Sequence, residues 1–161
     1  MNYFVAPNAI IEKDVDIGDG SKIWYFSHVM EGAKIGKDCS IGSHCDIGRK
    51  VIIGNGVRIG DKVSIYEGTI LKDKVMISPG VTFMNVRKPR AYRKAKRYEY
   101  IIVEEGATIE SNAVIKGAVR IGKYSIIAAG ATVTKNIPDG YLAVGDPAYL
   151  KEKVRDYDEK A

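Results

Sequence analysis

From Val5 onward, every sixth residue is apolar: Val5, Ile11, Ile17, Ile23, Val29, Ile35, Ile41, Ile47, Ile53, Ile59, Ile65, Leu71, Ile77 and Phe83. The run has no miss, although hydrophobic residues make up only 45% of the chain. The frame restarts at Val103 and continues through Ile109, Ile115, Ile121, Ile127 and Val133. A period of six is neither helical nor a plain strand alternation. It fits a short strand followed by a tight turn, repeated many times. Glycine often follows the apolar residue, as at Gly18, Gly36, Gly42, Gly48, Gly54, Gly60 and Gly122. Four positions after it stands a small or β-branched residue, as at Ser21, Ala33, Cys39, Cys45, Val51 and Thr69. The bulky residue points inward and the small one packs near a corner. The glycine is expected to supply turn geometry closed to other residues.

Three hexads close one triangular coil, and coils stack at the strand spacing of about 4.8 Å. Residues one coil apart in sequence then lie above one another. One inner column is Ile11, Val29, Ile47, Ile65 and Phe83, and another is Ile17, Ile35, Ile53 and Leu71. The expectation is an all-β solenoid of about six to seven coils, whose core forms only between neighbouring coils. The hexads cover 5–83 and 103–138 of a single domain. Turns follow at 136–140 and 145–148, and a short helix is expected over 149–158, with Leu150, Val154 and Tyr157 on one side.

The frame breaks once, between Phe83 and Val103, and the surplus residues must leave the prism as a loop over 84–102. That loop holds Arg87, Lys88, Arg90, Arg93, Lys94, Lys96 and Arg97, with no acid from 86 to 98. The chain carries a net charge of +5, so the loop accounts for the whole basic excess. In a rigid solenoid, an insertion is where function concentrates. A basic segment suits phosphorylated small molecules as well as nucleic acid. Nucleic-acid binding would rest on this short patch and on Tyr92, Tyr98 and Tyr100, which is thin support.

No stretch is long and apolar enough for a membrane helix, and the first residues lack the pattern of a signal peptide. A cytoplasmic protein with no membrane insertion is expected. Cys39 and Cys45 are expected to be small, buried, reduced side chains. With His44 they lack metal-site spacing, so no metal is expected. Two histidines, His28 and His44, cannot supply a three-histidine zinc site of the carbonic anhydrase kind that solenoids can carry. Absence of glutamine with abundant Lys and Glu hints at a thermophilic source.

The hexads together with the late motif Val144-Gly145-Asp146-Pro147-Ala148 resemble the hexapeptide-repeat acyltransferases over essentially the whole chain. Three further segments sharpen the resemblance: Ile23-Trp24-Tyr25-Phe26-Ser27-His28, Val63-Ser64-Ile65-Tyr66-Glu67-Gly68, and Gly80 through Asn85 with Pro89-Arg90. These are similar to motifs of nucleotide-sugar 3-N-acetyltransferases. The nearest likeness is to enzymes acting on UDP-2-acetamido-3-amino-2,3-dideoxyglucuronate, followed by those acting on dTDP-3-amino-3,6-dideoxyhexoses. The chain departs from the pattern at Met84, Lys88, Gly60-Asp61-Lys62 and Tyr149. The resemblance implies a left-handed parallel β-helix, a homotrimer with sites between subunits, acetyl-CoA as co-substrate and a nucleotide-sugar acceptor for surface polysaccharide or glycan synthesis.

In such enzymes the asparagine matching Asn85 sits beside the sugar amine. An amide accepts a hydrogen bond from an amine and donates one to a developing oxyanion. Asn85 also suits a plain turn at the end of a hexad. Glu67 falls one coil below it, either as a group that holds the amine or as part of a surface charge ladder Glu31–Arg49–Glu67. Tyr66, Trp24, His28 and Arg90 are candidates for substrate binding, with Arg90 facing the diphosphate. Ala128, Ala129 and Gly130 would let the flat pantetheine chain approach the backbone, and Lys135 or Lys151 would meet CoA phosphates. His28 lies three coils from Asn85, too far for a base in the same subunit. A hydroxyl acceptor needs such a base. A sugar amine is already nucleophilic and needs mainly positioning. An amine acceptor is therefore favoured over a serine- or maltose-type O-acetyl transfer. A non-catalytic structural solenoid is disfavoured by the interrupting loop and the terminal motif.

Overall fold

The computed structural model describes residues 2–154, and every regular element among them is a β-strand. Most strands are two residues long, and they lie on three sheets. The first face is built from Phe4–Val5, Lys22–Ile23, Ser40–Ile41, Arg58–Ile59, Met76–Ile77, Thr108–Ile109, Ile126–Ile127 and Tyr141–Val144, all parallel. The second face opens with Ile10–Ile11 and closes with Thr132–Val133. The third opens with Asp16–Ile17 and closes with Val119–Ile121. The chain visits the faces in strict rotation, which makes a triangular, left-handed parallel β-helix.

The inward residues are those of the six-residue frame. Ile23, Val29, Ile47, Ile65, Leu71, Ile77 and Ile109 are fully buried and stack in columns. Val5, Ile11 and Ile17 of the first coil are only partly buried, since nothing described lies beneath them. Strand pairs such as Asp46↔Ser64 and Ile47↔Ile65 realise the coil spacing expected from sequence. The role of the recurrent glycines is different from the one expected. Gly36 has no positive φ, but a Cβ there would lie 2.5 Å from the Gly54 carbonyl oxygen. Glycine is needed because the next coil passes too close for a side chain. The left-handed conformation falls two residues later, on Asp38, His44 and Lys50 among others.

The upper coils re-enter in the frame that restarts at Val103, and two departures from the sequence reading follow. Across the loop, Thr69 pairs with Ile101 and Leu71 with Val103, where an unbroken frame would offer Arg87 and Pro89. Past Val133 the solenoid does not stop. Ile121 bridges to Ile137 and Ile127 pairs with Ala143, each two residues early, so the first face reaches eight parallel strands. The compressed turn is held by the Asn136 side chain, which accepts the Arg120 N–H at 2.8 Å. The helix expected over 149–158 is absent from its described part. Tyr149–Lys153 is instead a strand antiparallel to Tyr141–Val144. The open edge of Tyr141–Val144 supplies unpaired backbone groups, and the turn at 145–148 returns the chain along it. All five of its residues are exposed. The rest of that expectation lies outside the described residues.

Cys39 and Cys45 are free and buried, each donating its thiol to a carbonyl, Gly54 at 3.0 Å and Gly60 at 3.1 Å. Burial pushes the Cys45 thiol up to about 11. The folded chain therefore holds a proton that the unfolded chain releases near pH 8.5. Stability from this group is complete below that pH and is lost as pH rises towards 11. Urea unfolding from pH 8 to 11 is expected to show a steeper decline for the wild type than for Cys45→Ala. In the core, Ile47→Ala is expected to cost about 2–5 kcal/mol by opening a cavity between coils, read as a lower urea midpoint.

Candidate active site

The edge where the second face turns into the third carries the candidate site. Register places Tyr66-Glu67-Gly68 on one rung, Met84-Asn85 above it, Lys116-Gly117-Ala118 above that, and Thr134-Lys135 at the top. Asn85 is the point where the loop leaves. Its Nδ2 donates to the Glu67 backbone carbonyl at 2.9 Å, so the expected adjacency of these two residues is realised through main chain. The Glu99 N–H, on the returning arm of the loop, donates to the Asn85 carbonyl at 2.7 Å. Asn85 is thus gripped from the rung below and from the loop, while its Oδ1 enters no hydrogen bond among the described residues. One Nδ2 hydrogen also remains, so the amide can still accept from an amine or donate to an oxyanion.

Glu67 is half-buried and makes no ion pair among the described residues. In the column Glu31–Arg49–Glu67, Glu31 pairs with Lys13 at 2.9 Å, and Arg49 forms no ion pair with either glutamate among the described residues. Glu67 lines a cavity of about 570 Å³ with Gly68, Thr69, Ile70 and the loop residues Arg97 to Tyr100. Tyr66 stands exposed at the same corner. Two further cavities open within the loop. One of about 500 Å³ lies among Val86, Pro89, Arg90, Arg93, Lys94 and Tyr98. The other, of about 380 Å³, includes Arg87, Lys88, Lys96, Arg97 and Glu99. Arg90 is exposed and donates to its neighbour, the Pro89 carbonyl, at 2.8 Å. The loop is a cationic basin fit for a diphosphate.

Trp24 and His28 are not brought to this site within one chain. His28 lies three rungs below Thr82, about 14 Å away by strand spacing. Its Nε2 meets Glu12 at 2.8 Å. The Glu12 carboxyl sits below its usual range, held first by the Glu31 backbone N–H and then by His28. Trp24 donates to the Ser40 hydroxyl at 3.2 Å and packs against Phe4.

Ala128, Ala129 and Gly130 form a corner on the other edge of the second face. Their N–H groups are all spent, on the Ala143 carbonyl, the Glu110 carboxylate and the Ser111 carbonyl. The Ala128 carbonyl accepts the Ala131 N–H at 3.1 Å, so the corner presents the Ala129 and Gly130 carbonyls, with low relief because a Cβ on Gly130 would meet nothing within 4 Å. A groove of about 720 Å³ adjoins it, lined by Ile126, Ala128, Leu142, Val144, Lys151 and Lys153. Glu110 and Glu152 line the same groove, so its two lysines stand among two carboxylates. Lys135 lies on the Asn85 edge, about two strand spacings above it.

Two residues escaped the sequence reading. Thr69 Oγ1 is buried with no hydrogen-bond partner among the described residues. Ser21 and Ser27, at corresponding hexad positions, accept the N–H of Cys39 and Cys45. Above Thr69 the equivalent N–H, of Ile101, goes to Gly68 O at 3.2 Å. Glu99 was passed over because the loop was read for its cations. Its signal was present all the same, as the single acid between Met84 and Ile102.

Comparison with known proteins agrees with this architecture. The bacterial transferase hexapeptide family matches residues 14–49 and 100–135, and the hexapeptide repeat of succinyl-transferase matches 50–82. The stretch between the matches is the loop. The dTDP-3-amino-3,6-dideoxy-alpha-D-galactopyranose 3-N-acetyltransferase of Aneurinibacillus thermoaerophilus is 48% identical, over 92% of this chain and 77% of its own. Among solved structures, the polySia-specific acetyltransferase NeuO superposes with a TM-score of 0.59 at 21% identity, covering 99% of this chain and 87% of its own. AntD, an N-acyltransferase from Bacillus cereus solved with dTDP and coenzyme A, gives 0.55 at 16% identity, covering 96% and 84%. These two likenesses speak to fold. The chain belongs to the hexapeptide-repeat acetyltransferases and is an acetyl-CoA-dependent enzyme.

Asn85→Ala is expected to lower kcat by roughly 10- to 100-fold. Circular dichroism and sedimentation should be unchanged, because the backbone bonds of residue 85 survive the substitution. Unaltered kinetics would remove Asn85 from the site.

Proposed function

We propose that this enzyme transfers acetyl from acetyl-CoA to the 3-amino group of a dTDP-linked 3-amino-3,6-dideoxyhexose. The observation that carries the reading is Asn85, gripped from below and from the loop at the root of a cationic basin. The motif likeness to UDP-2-acetamido-3-amino-2,3-dideoxyglucuronate enzymes supports a nucleotide-linked amino sugar. The 48% identical relative favours the dTDP-hexose member of that class.

In this reading the loop cations, Arg90 foremost, hold the diphosphate, and the Asn85 amide holds the amine. The amine nitrogen attacks the thioester carbonyl, the carbon–sulfur bond breaks, and the amine proton leaves with the thiol. Lys151, Lys135 and the Ala128–Gly130 corner would hold the donor. This corner and Asn85 lie on different edges of one prism, which supports a homotrimer with sites between subunits. There His28 and Trp24 of one subunit would contact substrate bound largely by another, while Tyr66 would contact it from the same corner as Asn85. An amine acceptor is favoured over O-acetyl transfer because neither histidine lies near Asn85 within one chain. His28 is engaged with Glu12, and His44 is stacked on Phe26 at 5.1 Å. The two free, buried thiols fit a reducing, cytoplasmic setting.

Thiol release should be measured with a panel of dTDP- and UDP-linked 3-amino sugars and with hydroxyl acceptors. Turnover is expected with dTDP-3-amino-3,6-dideoxyhexoses. Turnover confined to a hydroxyl acceptor would overturn the proposal.

A further inference from the structure

Glu99 is the single acid of the loop region, and its placement is unusually constrained. The returning arm of the loop passes through a slot between two glycine corners. Below, a Cβ on Gly68 would lie 2.9 Å from the Glu99 carbonyl oxygen. Above, a Cβ on Gly117 would lie 2.6 Å from the Glu99 Cβ and 2.9 Å from the Met84 carbonyl oxygen. Gly117 has no positive φ, so space alone accounts for glycine there. The Glu99 N–H is tied to the Asn85 carbonyl at 2.7 Å. Glu99 is therefore locked beside the residue proposed to hold the amine. Its side chain is only 18% exposed, and it borders both the cavity shared with Glu67 and the cationic cavity of the loop.

The charges facing that cavity are Lys50, Glu67, Arg97 and Glu99. They do not cancel. Arg97 reaches Glu99 only at 4.0 Å and its side chain is 84% exposed, and Lys50 is exposed as well. Solvent screens the two cations, whereas the two half-buried carboxylates act at closer range through less water. On this side of Asn85 a seated sugar would face the two half-buried carboxylates, with Lys50 and Arg97 standing out in solvent.

We propose that Glu99, with Glu67 behind it, is a specificity-determining residue that rejects sugars carrying a carboxylate and admits those carrying a methyl group. The inference rests on the proposed acetylation of a nucleotide-linked amino sugar and names the feature that chooses among such sugars. A uronate brings a third carboxylate against these two, and the Glu99 backbone and Cβ, wedged between glycine corners, cannot shift to relieve it. A 6-deoxy sugar brings none.

The test compares two acceptors on the same nucleotide, a 3-amino-3,6-dideoxyhexose and the matching 3-amino-3-deoxyuronate. The wild type should favour the neutral sugar in kcat/KM. Glu99→Gln keeps the shape and the backbone bond to Asn85, and it should narrow that preference at least tenfold, chiefly by lowering KM for the uronate. Glu99→Asp keeps the charge and should retain most of the preference. Raising the salt concentration should narrow the wild-type ratio while leaving that of Glu99→Gln nearly flat. An unchanged ratio in Glu99→Gln would overturn the proposal, as would an equal loss for both sugars. Calorimetric binding of the two sugars gives the same ratio without turnover. Discrimination in binding without acetylation would sink the proposed activity alone, while acetylation without discrimination would sink this inference alone.

Discussion

The whole structure depends on one constraint: each coil must present its hydrogen-bonding groups and its inward isoleucines in register with the coil below. A coil has no core of its own, and its apolar residues are buried only by neighbours. Strand pairing holds one coil against the next, and Ile47 over Val29, or Ile65 over Ile47, completes the contact. Any residue that enlarges a corner breaks this spacing. That is why glycines such as Gly36 recur where the next backbone comes within 2.5 Å of the missing Cβ.

Such a scaffold is too regular to form a pocket by itself. Function enters where regularity is interrupted. After Phe83 the chain leaves the prism, and it re-enters at Ile101, directly above Thr69. The interruption leaves marks on the rungs around it: a buried Thr69 hydroxyl with no hydrogen-bond partner among the described residues, a corner at Gly68 with φ +96°, and a glycine at position 117 that makes room for Glu99. It also places the chain's basic excess beside a half-buried asparagine. The stiffness of the stack is an advantage here, because side chains on adjacent rungs keep fixed separations without a large supporting shell.

Much of the site was legible because stacking turns sequence distance into spatial distance. The contact of Asn85 with Glu67 and the separation of His28 from both follow from counting coils. What escaped notice lay where counting fails. Glu99 sits after the break, so no column assigns it a neighbour until the loop's return path is known. The two-residue compression at Ile137 hid the last coil. The C-terminal segment carried a weak amphipathic pattern, which yielded to the open strand edge of Tyr141–Val144.

Sequence alone determined the solenoid, its inner columns and the position of its single large insertion. A period of six, sustained from Val5 to Phe83, has few ways to bury its apolar residues. Tertiary structure decided how the loop folds back, which carboxylates face the cavity and how the chain ends. Those outcomes depend on steric fit between residues far apart in sequence, such as Glu99 against Gly68 and Gly117, and no local pattern encodes such a fit.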